Sequence, residues 1–426
     1  MSATTDRLFT PRFFVMCGFT FTVFLSVFQI LPVAPFRVLD LGGSTFASGL
    51  FLGFLTYASA FSAPMTGAIG DRVGHRRVLL VCSIVIAGFS VAYGLSPTYH
   101  MLLGLAVVHG VFWSGLLSAS GAYMTSFLPE RRRAEGIGYW GLSSVAAIAV
   151  APNLGFWIYG RGWVWVCVSS LSLNVLMALI AWRLPETTRT VERNTGGTRN
   201  EHRMNMETDT EQPRIDHGGA RGAERGDGAP QATRLAGRRG PRHPRIEWRV
   251  LALSLTLFLY SFGYGSITSF AALYAAANAV RPTGLYLTTL ALVILVSRPL
   301  SAPIADRYGH KRVLAPCLAL IPIGLSLLAF GGTRLWMILS ASVFGLGFGT
   351  AYPVFAAYIM HRVTADRRGA AFGAMLAAFD TGIGTGSTLT GGLIDKVGFG
   401  RAFGVAAVIS ALSLPYFLVV ERRLGR

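Results

Sequence analysis

Residues 67–77 read GAIGDRVGHRR, and residues 302–312, which lie 235 positions later, read APIADRYGHKR. Six of these eleven positions are identical, and Val-Leu follows the segment in both places. The same offset aligns Arg132-Arg133 with Arg367-Arg368. A signature that returns after so long an interval predicts a chain built from two homologous halves.

The composition around these segments is that of a membrane protein. Of the 426 residues, 52% are apolar and only 14% are charged, whereas soluble domains carry roughly 25% charged residues. The 38 basic and 20 acidic residues give a net charge of +18, and the four cysteines lie in apolar runs without metal or disulfide spacing. These counts exclude a disordered chain, a secreted disulfide scaffold and most nucleic-acid binders, so we expect no nucleic-acid partner.

Eleven stretches with at most one charge are long enough to cross a ~30 Å hydrocarbon layer, which takes about 20 apolar residues. One of them, 78–129, is twice that length and contains the turn Ser96-Pro97-Thr98, so it forms two spans. We therefore expect an all-α membrane protein with twelve transmembrane helices in two pseudo-symmetric six-helix bundles. The predicted spans are 13–36, 41–70, 78–95, 99–129, 136–160, 162–182, 250–280, 282–304, 313–333, 335–361, 369–394 and 402–420.

The distribution of Lys and Arg predicts the orientation. With the N-terminus in the cytoplasm, the inner ends and loops hold seventeen of these residues, and the outer loops hold six. Because cytoplasmic loops are enriched in Lys and Arg, we expect a multi-pass protein of the plasma (inner) membrane with both termini cytoplasmic. The first apolar run lacks a small-residue cleavage site and is interpreted as a retained helix.

The segment between the two halves differs from both. Residues 185–247 are rich in Arg, Gly, Thr, Pro and Glu and almost free of large apolar side chains, so we expect a disordered cytoplasmic linker. It separates an N-terminal six-helix bundle, 1–184, from a C-terminal one, 248–426. We interpret the linker as a tether; contact with anionic lipid headgroups is the alternative.

Taken together, these features resemble the major facilitator superfamily over almost the whole chain. The carrying motif is Gly67-x-x-x-Asp71-Arg72-x-Gly74-His75-Arg76-Arg77, the loop signature of that superfamily, with an echo at residues 306–312. The parallel halves are expected to rock about a central site in alternating access. Other stretches are similar to arabinose-efflux-like bacterial permeases and opine-metallophore exporters: LPVAP (31–35), LGG (41–43), SRPL (297–300), GFGTAYP (347–353) and FDTGIG (379–384).

The resemblance also implies a conformational clamp on the loops after the second and eighth spans. In the superfamily, the acidic residue of the motif faces the positive end of the eleventh helix and holds the cytoplasmic side shut. The two motif glycines suit a positive φ or a close backbone approach. The alternative is that the arginines only determine topology. The residues of the expected clamp are Asp71, Arg72, Gly74, Arg76, Asp306, Arg307 and Gly309.

Two charged residues lie inside predicted spans. Asp380 is the one acidic residue well within a span, and Arg298 lies at a depth that differs by about one helical turn. Each charge costs ~2.5–3.5 kcal/mol to insert, so each needs a partner or a water-filled cavity. We expect Asp380 to be a protonation site whose pairing with Arg298 changes as the carrier switches state; a permanent ion pair is the alternative.

Further candidates come from one histidine and several aromatic residues. His109 is the one histidine deep in a span, where it is either a proton relay or a neutral residue hydrogen-bonded between helices. Ala106 stands where drug–proton antiporters carry an arginine, so coupling cannot use that arginine. In the superfamily, helices one, four, seven and ten line the substrate cavity. The candidate cavity residues on these helices are Gln29, Trp113, Tyr260, Tyr264 and Tyr352. Packing within the bundles is their alternative role.

The sequence thus predicts a secondary active transporter that moves a small organic solute by alternating access, through proton-coupled export. An uptake symporter for sugars or organic acids and a non-transporting membrane ligand sensor are the alternatives. The sequence contains no Gly-Lys-Ser/Thr element, paired carboxylates or metal-ligand cluster, so we expect no enzyme activity, cofactor or metal. The expected partners are the solute, protons and membrane lipids, and the presence of both halves predicts a monomer.

Overall fold

A computed structural model describes residues 7–129, 132–186, 248–360, 362–363 and 368–424. The predicted linker lies outside the described residues, apart from Pro185 and Glu186. In the described segments the chain forms α1 Pro11–Ile30, α2 Ala34–Asp40, α3 Thr45–Val73, α4 His75–Gly94, α5 Tyr99–Phe127, α6 Arg133–Tyr159, α7 Trp163–Arg183, α8 Trp248–Ala277, α9 Leu285–Tyr308, α10 His310–Phe330, α11 Arg334–Met360, α12 Arg368–Val397, α13 Phe399–Ala411 and α14 Ser413–Leu424.

Hydroxyl side chains mark where several of these helices begin. Thr10 Oγ1 accepts a hydrogen bond from Phe13 N at the start of α1, and Ser44 Oγ accepts one from Ala47 N at the start of α3. Thr98 caps α5 in the same way. Such caps satisfy backbone N–H groups that the first turn leaves without a carbonyl. The predicted turn at residues 96–98 is therefore confirmed, since it ends at this cap.

Ten helical stretches among the described residues are long and apolar enough to cross a membrane. Two of them are interrupted near prolines, which divides them into α1–α2 and α13–α14. The remaining two spans are α9, whose apolar part is Leu285–Leu300, and α12, whose sequence is rich in small residues. The expected all-α fold with twelve transmembrane helices in two six-helix bundles is confirmed.

The two bundles repeat one packing pattern. In the N-terminal bundle, α1 packs on α6 and α7, α3 packs on α5, and α4 packs on α5 and α7. In the C-terminal bundle, α8 packs on α12 and α13, α9 packs on α11, and α10 packs on α11 and α13. Each contact of one bundle has its counterpart in the other, as expected for halves related by a pseudo-two-fold axis.

The buried apolar side chains form one main cluster in each bundle. The N-terminal cluster contains Phe19, Phe51 and Tyr123, and the C-terminal cluster contains Phe344 and Phe403. Because lipid tails are as apolar as these side chains, the clusters stabilise the bundles by close packing more than by removal of apolar surface from water. We call the side that holds the start of α1 and the α3–α4 connection the terminal side.

Candidate functional site

Small residues form the main contact between the bundles, where α3 packs on α12. A Cβ atom on Gly49 would collide with the carbonyl group of Ser387, and Ser387 Oγ donates a hydrogen bond of 2.8 Å to Gly49 O. The hydroxyl groups of Tyr57 and Thr385 lie 2.9 Å apart across the same contact. This contact, which we call the first seam, joins the half of each helix that is remote from the terminal side.

A second seam joins α6 and α9, the pseudo-symmetric counterparts of α12 and α3. Asn153 Nδ2 donates a hydrogen bond of 2.9 Å to Thr288 Oγ1, and Thr288 Oγ1 donates one of 2.9 Å to Ala149 O. A small buried apolar cluster of Val145, Ala149 and Ala291 lies beside these bonds. The second seam also lies in the half remote from the terminal side, so both seams hold the bundles together there.

Asp395 adds a polar contact at the outer end of the first seam. Its Oδ2 accepts a hydrogen bond of 3.1 Å from Phe46 N, and its Oδ1 accepts a hydrogen bond from Thr45 Oγ1. A carboxylate of the C-terminal bundle thus caps the N-terminus of α3 in the N-terminal bundle. The positive end of a helix dipole favours a negative charge at this position. Sequence reasoning missed Asp395 because a carboxylate near a helix end predicts no distant partner.

Asp380 lies at the inner end of the first seam, near the middle of α12. The residue is half-buried, and its Oδ2 accepts a hydrogen bond of 2.9 Å from Ser59 Oγ on α3. The carboxylate therefore bridges the two bundles at the depth where the seam ends. Ser59 was not among the predicted site residues, since a serine in an apolar helix has no distinguishing pattern.

Arg298 lies near the middle of α9 and is also half-buried. Its Nη1 lies 3.7 Å from the position that a Cβ atom on Gly141 of α6 would occupy, so the guanidinium reaches the facing helix of the second seam. Tyr352 of α11 lies near both Arg298 and Asp380. Exchange of partners between the two charges stays a prediction.

Aromatic rings from α8, α11 and α12 surround this position. The ring of Tyr264 stacks on Phe348 with 4.4 Å between centroids, and the ring of Tyr260 meets Phe348 edge-on at 5.7 Å. Tyr352 packs on Phe379 at 5.1 Å. We call these five residues the aromatic cluster. The three tyrosines were predicted together, and the two phenylalanines complete the contacts among them.

His109 lies inside the N-terminal bundle. The residue is buried, its Nδ1 lies 3.0 Å from the Tyr93 hydroxyl, and its ring stacks on Phe89 at 5.4 Å. Its Nε2 is also buried and faces a cavity of about 10 Å³ that Asn174 also lines. A cavity of that size holds about one water molecule, which would satisfy both side chains.

Gln29 and Trp113, the remaining predicted cavity residues, are buried among other helices of the N-terminal bundle. Gln29 lies at the end of α1, where its Oε1 accepts a hydrogen bond of 3.1 Å from Ser169 Oγ. Trp113 packs on Phe24 with 5.5 Å between ring centroids. Both side chains therefore have packing partners, and a role in substrate contact stays a prediction.

The repeated motif builds two equivalent tight turns between helices on the terminal side. Gly74 separates α3 from α4 with φ +103°, and Gly309 separates α9 from α10 with φ +87°. No atom lies within 4 Å of a Cβ built on either residue, so the backbone conformation, and not space, requires glycine here. Of the two predicted reasons for these glycines, a positive φ or a close backbone approach, the structure shows the positive φ.

The charged residues of the motif have different surroundings in the two halves. Asp71 Oδ1 lies 3.8 Å from His75 Nε2, and its side chain is 77% exposed. Arg72 and Arg307 are exposed, and the Arg307 guanidinium lies 5.5 Å from the centroid of the Tyr308 ring. Asp306 belongs to the last turn of α9. The clamp that involves these residues stays a prediction.

Arg76 and Lys311, which are equivalent in the repeat, each reach the last helix of their bundle. Arg76 Nη2 donates a hydrogen bond of 2.6 Å to Trp182 O, and its Nη1 lies 3.3 Å from Glu186 Oε1. Lys311 Nζ binds Glu421 Oε2. The two acceptors, Glu186 and Glu421, are separated by the same 235 positions as the motif, a signal that could have revealed both pairs from the sequence.

Comparison with known proteins identifies the family. The model of the Major Facilitator Superfamily matches residues 15–281 and 253–426, which together cover nearly the whole chain. The chain belongs to the major facilitator superfamily. As a member of the superfamily it is a multi-pass membrane transporter.

Relatives of this superfamily member come from bacteria. An uncharacterized MFS-type transporter of Burkholderia mallei is 24% identical over 420 residues, which cover 96% of this chain and 92% of the relative. An uncharacterized MFS-type transporter of Pseudomonas aeruginosa is 31% identical over 191 residues, 45% of this chain and 47% of the relative.

Two solved transporters share the fold. The nucleoside transporter NupG superposes with a TM-score of 0.69 at 13% identity, over 96% of this chain and 99% of NupG. The human organic anion transporter MFSD10 gives a TM-score of 0.67 at 16% identity, over 96% of this chain and all of MFSD10 (100%). At these identities the likeness extends to the superfamily fold alone.

Proposed function

We propose that this transporter exports a small organic solute in exchange for protons by alternating access, with the terminal side in the cytoplasm. The observation that carries the proposal is the hydrogen bond between Ser59 and Asp380, because it places a titratable group of one bundle against a donor of the other. A proton that binds there acts directly on a contact between the two moving parts.

The physical coupling follows from the strength of that bond. Hydrogen bonds to an ionised acceptor are roughly twice as strong as neutral ones. An ionised Asp380 therefore favours the arrangement in which α3 and α12 are in contact, and protonation weakens this preference. Population of the alternative arrangement then depends on which side of the membrane supplies the proton.

The aromatic cluster beside Asp380 supports a class of substrate. Stacked phenol and phenyl rings bind flat molecules, and the face of an aromatic ring attracts cations. A carboxylate adjacent to these rings adds attraction for positive charge, and the guanidinium of Arg298 attracts negative charge. We therefore propose a flat organic solute that carries a charged group, bound between the bundles in competition with the proton.

The roles of the two titratable residues can be separated by experiment. Purified protein is reconstituted into proteoliposomes, and uphill flux of candidate dyes, drugs and metallophores is measured under an imposed proton gradient. Asp380→Asn is expected to abolish uphill flux while downhill exchange continues at a reduced rate, because the aromatic cluster still binds the solute, although more weakly without the carboxylate. His109→Gln is expected to retain uphill flux, since His109 lies in the interior of one bundle. Uphill flux that survives Asp380→Asn would remove Asp380 from the coupling role.

The direction of transport separates the proposal from its closest alternative. Everted membrane vesicles present the terminal side to the medium in our orientation, so an exporter accumulates solute in them and an uptake symporter depletes it. A ligand sensor produces proton-dependent flux in neither orientation. The two bundles, 1–184 and 248–426, are proposed to work together within a monomer, since each seam uses one surface from each bundle.

A further inference from the structure

A long apolar groove runs along the outside of the C-terminal bundle. It lies where α9 and α10 diverge, and α11 forms its floor. Its volume is about 850 Å³. Val296 and Leu300 on its α9 wall are 69% and 57% exposed, so the groove opens sideways from the bundle. The other main lining residues are Ile304, Pro316, Leu320 and Leu346.

A basic pocket adjoins the groove on the terminal side. It has a volume of about 380 Å³ and shares the lining residues Tyr308 and Arg312 with the groove, so the two spaces are neighbours. The α10 N-terminus forms one wall of the pocket, where the helix dipole favours an anion. The remaining lining residues are Gly309, His310, Lys311, Tyr358 and Arg362.

The charges around the pocket favour an anionic occupant. Lys311 and Arg362 both contact the carboxylate of Glu421, and the Arg362 guanidinium lies 4.3 Å from the centroid of the Tyr358 ring. Arg312 makes no ion pair with a described side chain. Among the described side chains, the pocket therefore has three cations and one carboxylate, Glu421, which contacts two of them.

We propose that the groove and the basic pocket together bind one anionic glycerophospholipid from the leaflet on the terminal side. The phosphate lies at Arg312 and the start of α10, and an acyl chain lies in the groove. Basic pockets between transmembrane helices at the membrane surface bind anionic headgroups in this way. The groove extends along α9 from Leu292 to Tyr308, about 24 Å at 1.5 Å per residue, which exceeds the ~15 Å depth of one leaflet.

All elements of this site belong to the C-terminal bundle, so bundle rocking leaves the site intact. The proposal therefore stands independently of proton coupling and of the transported solute. The N-terminal bundle offers a matched reference, because Arg77 occupies the position equivalent to Arg312 in the repeat. In contrast to Arg312, Arg77 has a carboxylate nearby, with its Nε 3.8 Å from Glu186 Oε1.

Native mass spectrometry of the purified full-length protein tests the site. The probes are phosphatidylglycerol and phosphatidylcholine with identical acyl chains. The wild type is expected to bind one phosphatidylglycerol in preference to phosphatidylcholine. Arg312→Gln is expected to weaken phosphatidylglycerol binding about fivefold, the equivalent of ~1 kcal/mol for one surface charge. Arg77→Gln is expected to leave this binding unchanged. Equal affinities in the wild type and Arg312→Gln, or an equal loss in Arg77→Gln, would overturn the proposal.

A second variant tests the acyl chain separately from the headgroup. Leu300→Trp fills the groove, so we expect weaker binding of phosphatidylglycerol and unchanged binding of glycerol phosphate, which has no acyl chain. Met65→Trp changes the equivalent position of the N-terminal bundle and is the control. If Leu300→Trp keeps full phosphatidylglycerol affinity while elution and helix content match the wild type, the groove does not hold a lipid chain.

Discussion

Asp380 Oδ2 accepts a hydrogen bond of 2.9 Å from Ser59 Oγ, although the two residues are 321 positions apart and belong to different bundles. The bond lies where the first seam ends, next to the aromatic cluster. A change at either residue therefore acts on the contact between the bundles and on the surroundings of the proposed substrate at the same time.

Ser59→Ala removes the donor of this bond. A hydrogen bond to a charged group contributes ~1.5–3 kcal/mol, so we expect a roughly tenfold to hundredfold shift toward the conformation with α3 and α12 apart. Electron spin resonance distances between labels on the outer ends of α3 and α12 measure this shift. Ser62→Ala is the control, because Ser62 donates within α3. A distance distribution identical to that of the wild type would contradict the expectation.

Asp395→Ala removes the carboxylate that caps α3 from the other bundle. An exposed cap of this kind stabilises the contact between α3 and α12 by about 1 kcal/mol. In a cysteine-free background, the first-seam variant Thr388→Cys reports on this contact. We expect maleimide to label it roughly fivefold faster when Asp395 is replaced. Asp40→Ala is the matched control on the same side of the membrane, because Asp40 contacts Tyr159 of its own bundle. Equal labelling rates in the two variants would show that Asp395 does not stabilise the contact between the bundles.

Gly386→Ala tests the close approach of α12 to α8. A Cβ atom there would collide with the backbone carbonyl of Phe262. Overpacking costs ~1–3 kcal/mol, so we expect a clearly lower Tm in a thermal unfolding experiment in detergent. Gly373→Ala on the same helix has no atom within 4 Å of the new Cβ and is expected to leave Tm unchanged or slightly higher. A similar fall in both variants would indicate a general effect of α12 glycines.

Glu421→Gln is expected to destabilise the protein more than Glu186→Gln, although the two residues are equivalent in the repeat. Each carboxylate lies near two cations, but the Glu421 side chain is 11% exposed and that of Glu186 is 59% exposed. Exposed ion pairs contribute ~0–1 kcal/mol, and loss of a partly buried carboxylate costs more because it leaves the cations without their partner. Thermal unfolding of both variants measures the difference, and equal Tm values would contradict it.

Features that follow from local sequence were predictable. The long apolar runs predict the spans. The glycines of the repeated motif suggested a positive φ or a close backbone approach, and the structure shows the positive φ at Gly74 and Gly309. Pro32 and Pro35 also indicate the break between α1 and α2, although the distribution of charged residues alone suggested one continuous span. Charge inside an apolar run singled out Asp380 and Arg298 for the same local reason.

Partners across the bundle interface were not predictable. Ser59 and Asp395 have no distinguishing pattern in their own helices. Their contacts depend on how α3 and α12 are positioned against each other, which the local sequence of neither helix determines. Phe348 and Phe379 were missed because phenylalanine is frequent in every span of this chain. The Arg76–Glu186 and Lys311–Glu421 pairs are an intermediate case. The 235-residue offset also aligns Glu186 with Glu421, so both pairs could be predicted by applying the offset outside the motif.

The make-up of the first seam determines what a rocking motion exposes. Gly49, Ser387 and their neighbours present hydroxyl groups and backbone carbonyls, so a gap that opens there is wettable from the moment it forms. Water can replace each lost hydrogen bond when the helices separate. The protein can therefore exchange one arrangement for the other at a small net difference in free energy, leaving the binding of solute and proton to decide which prevails.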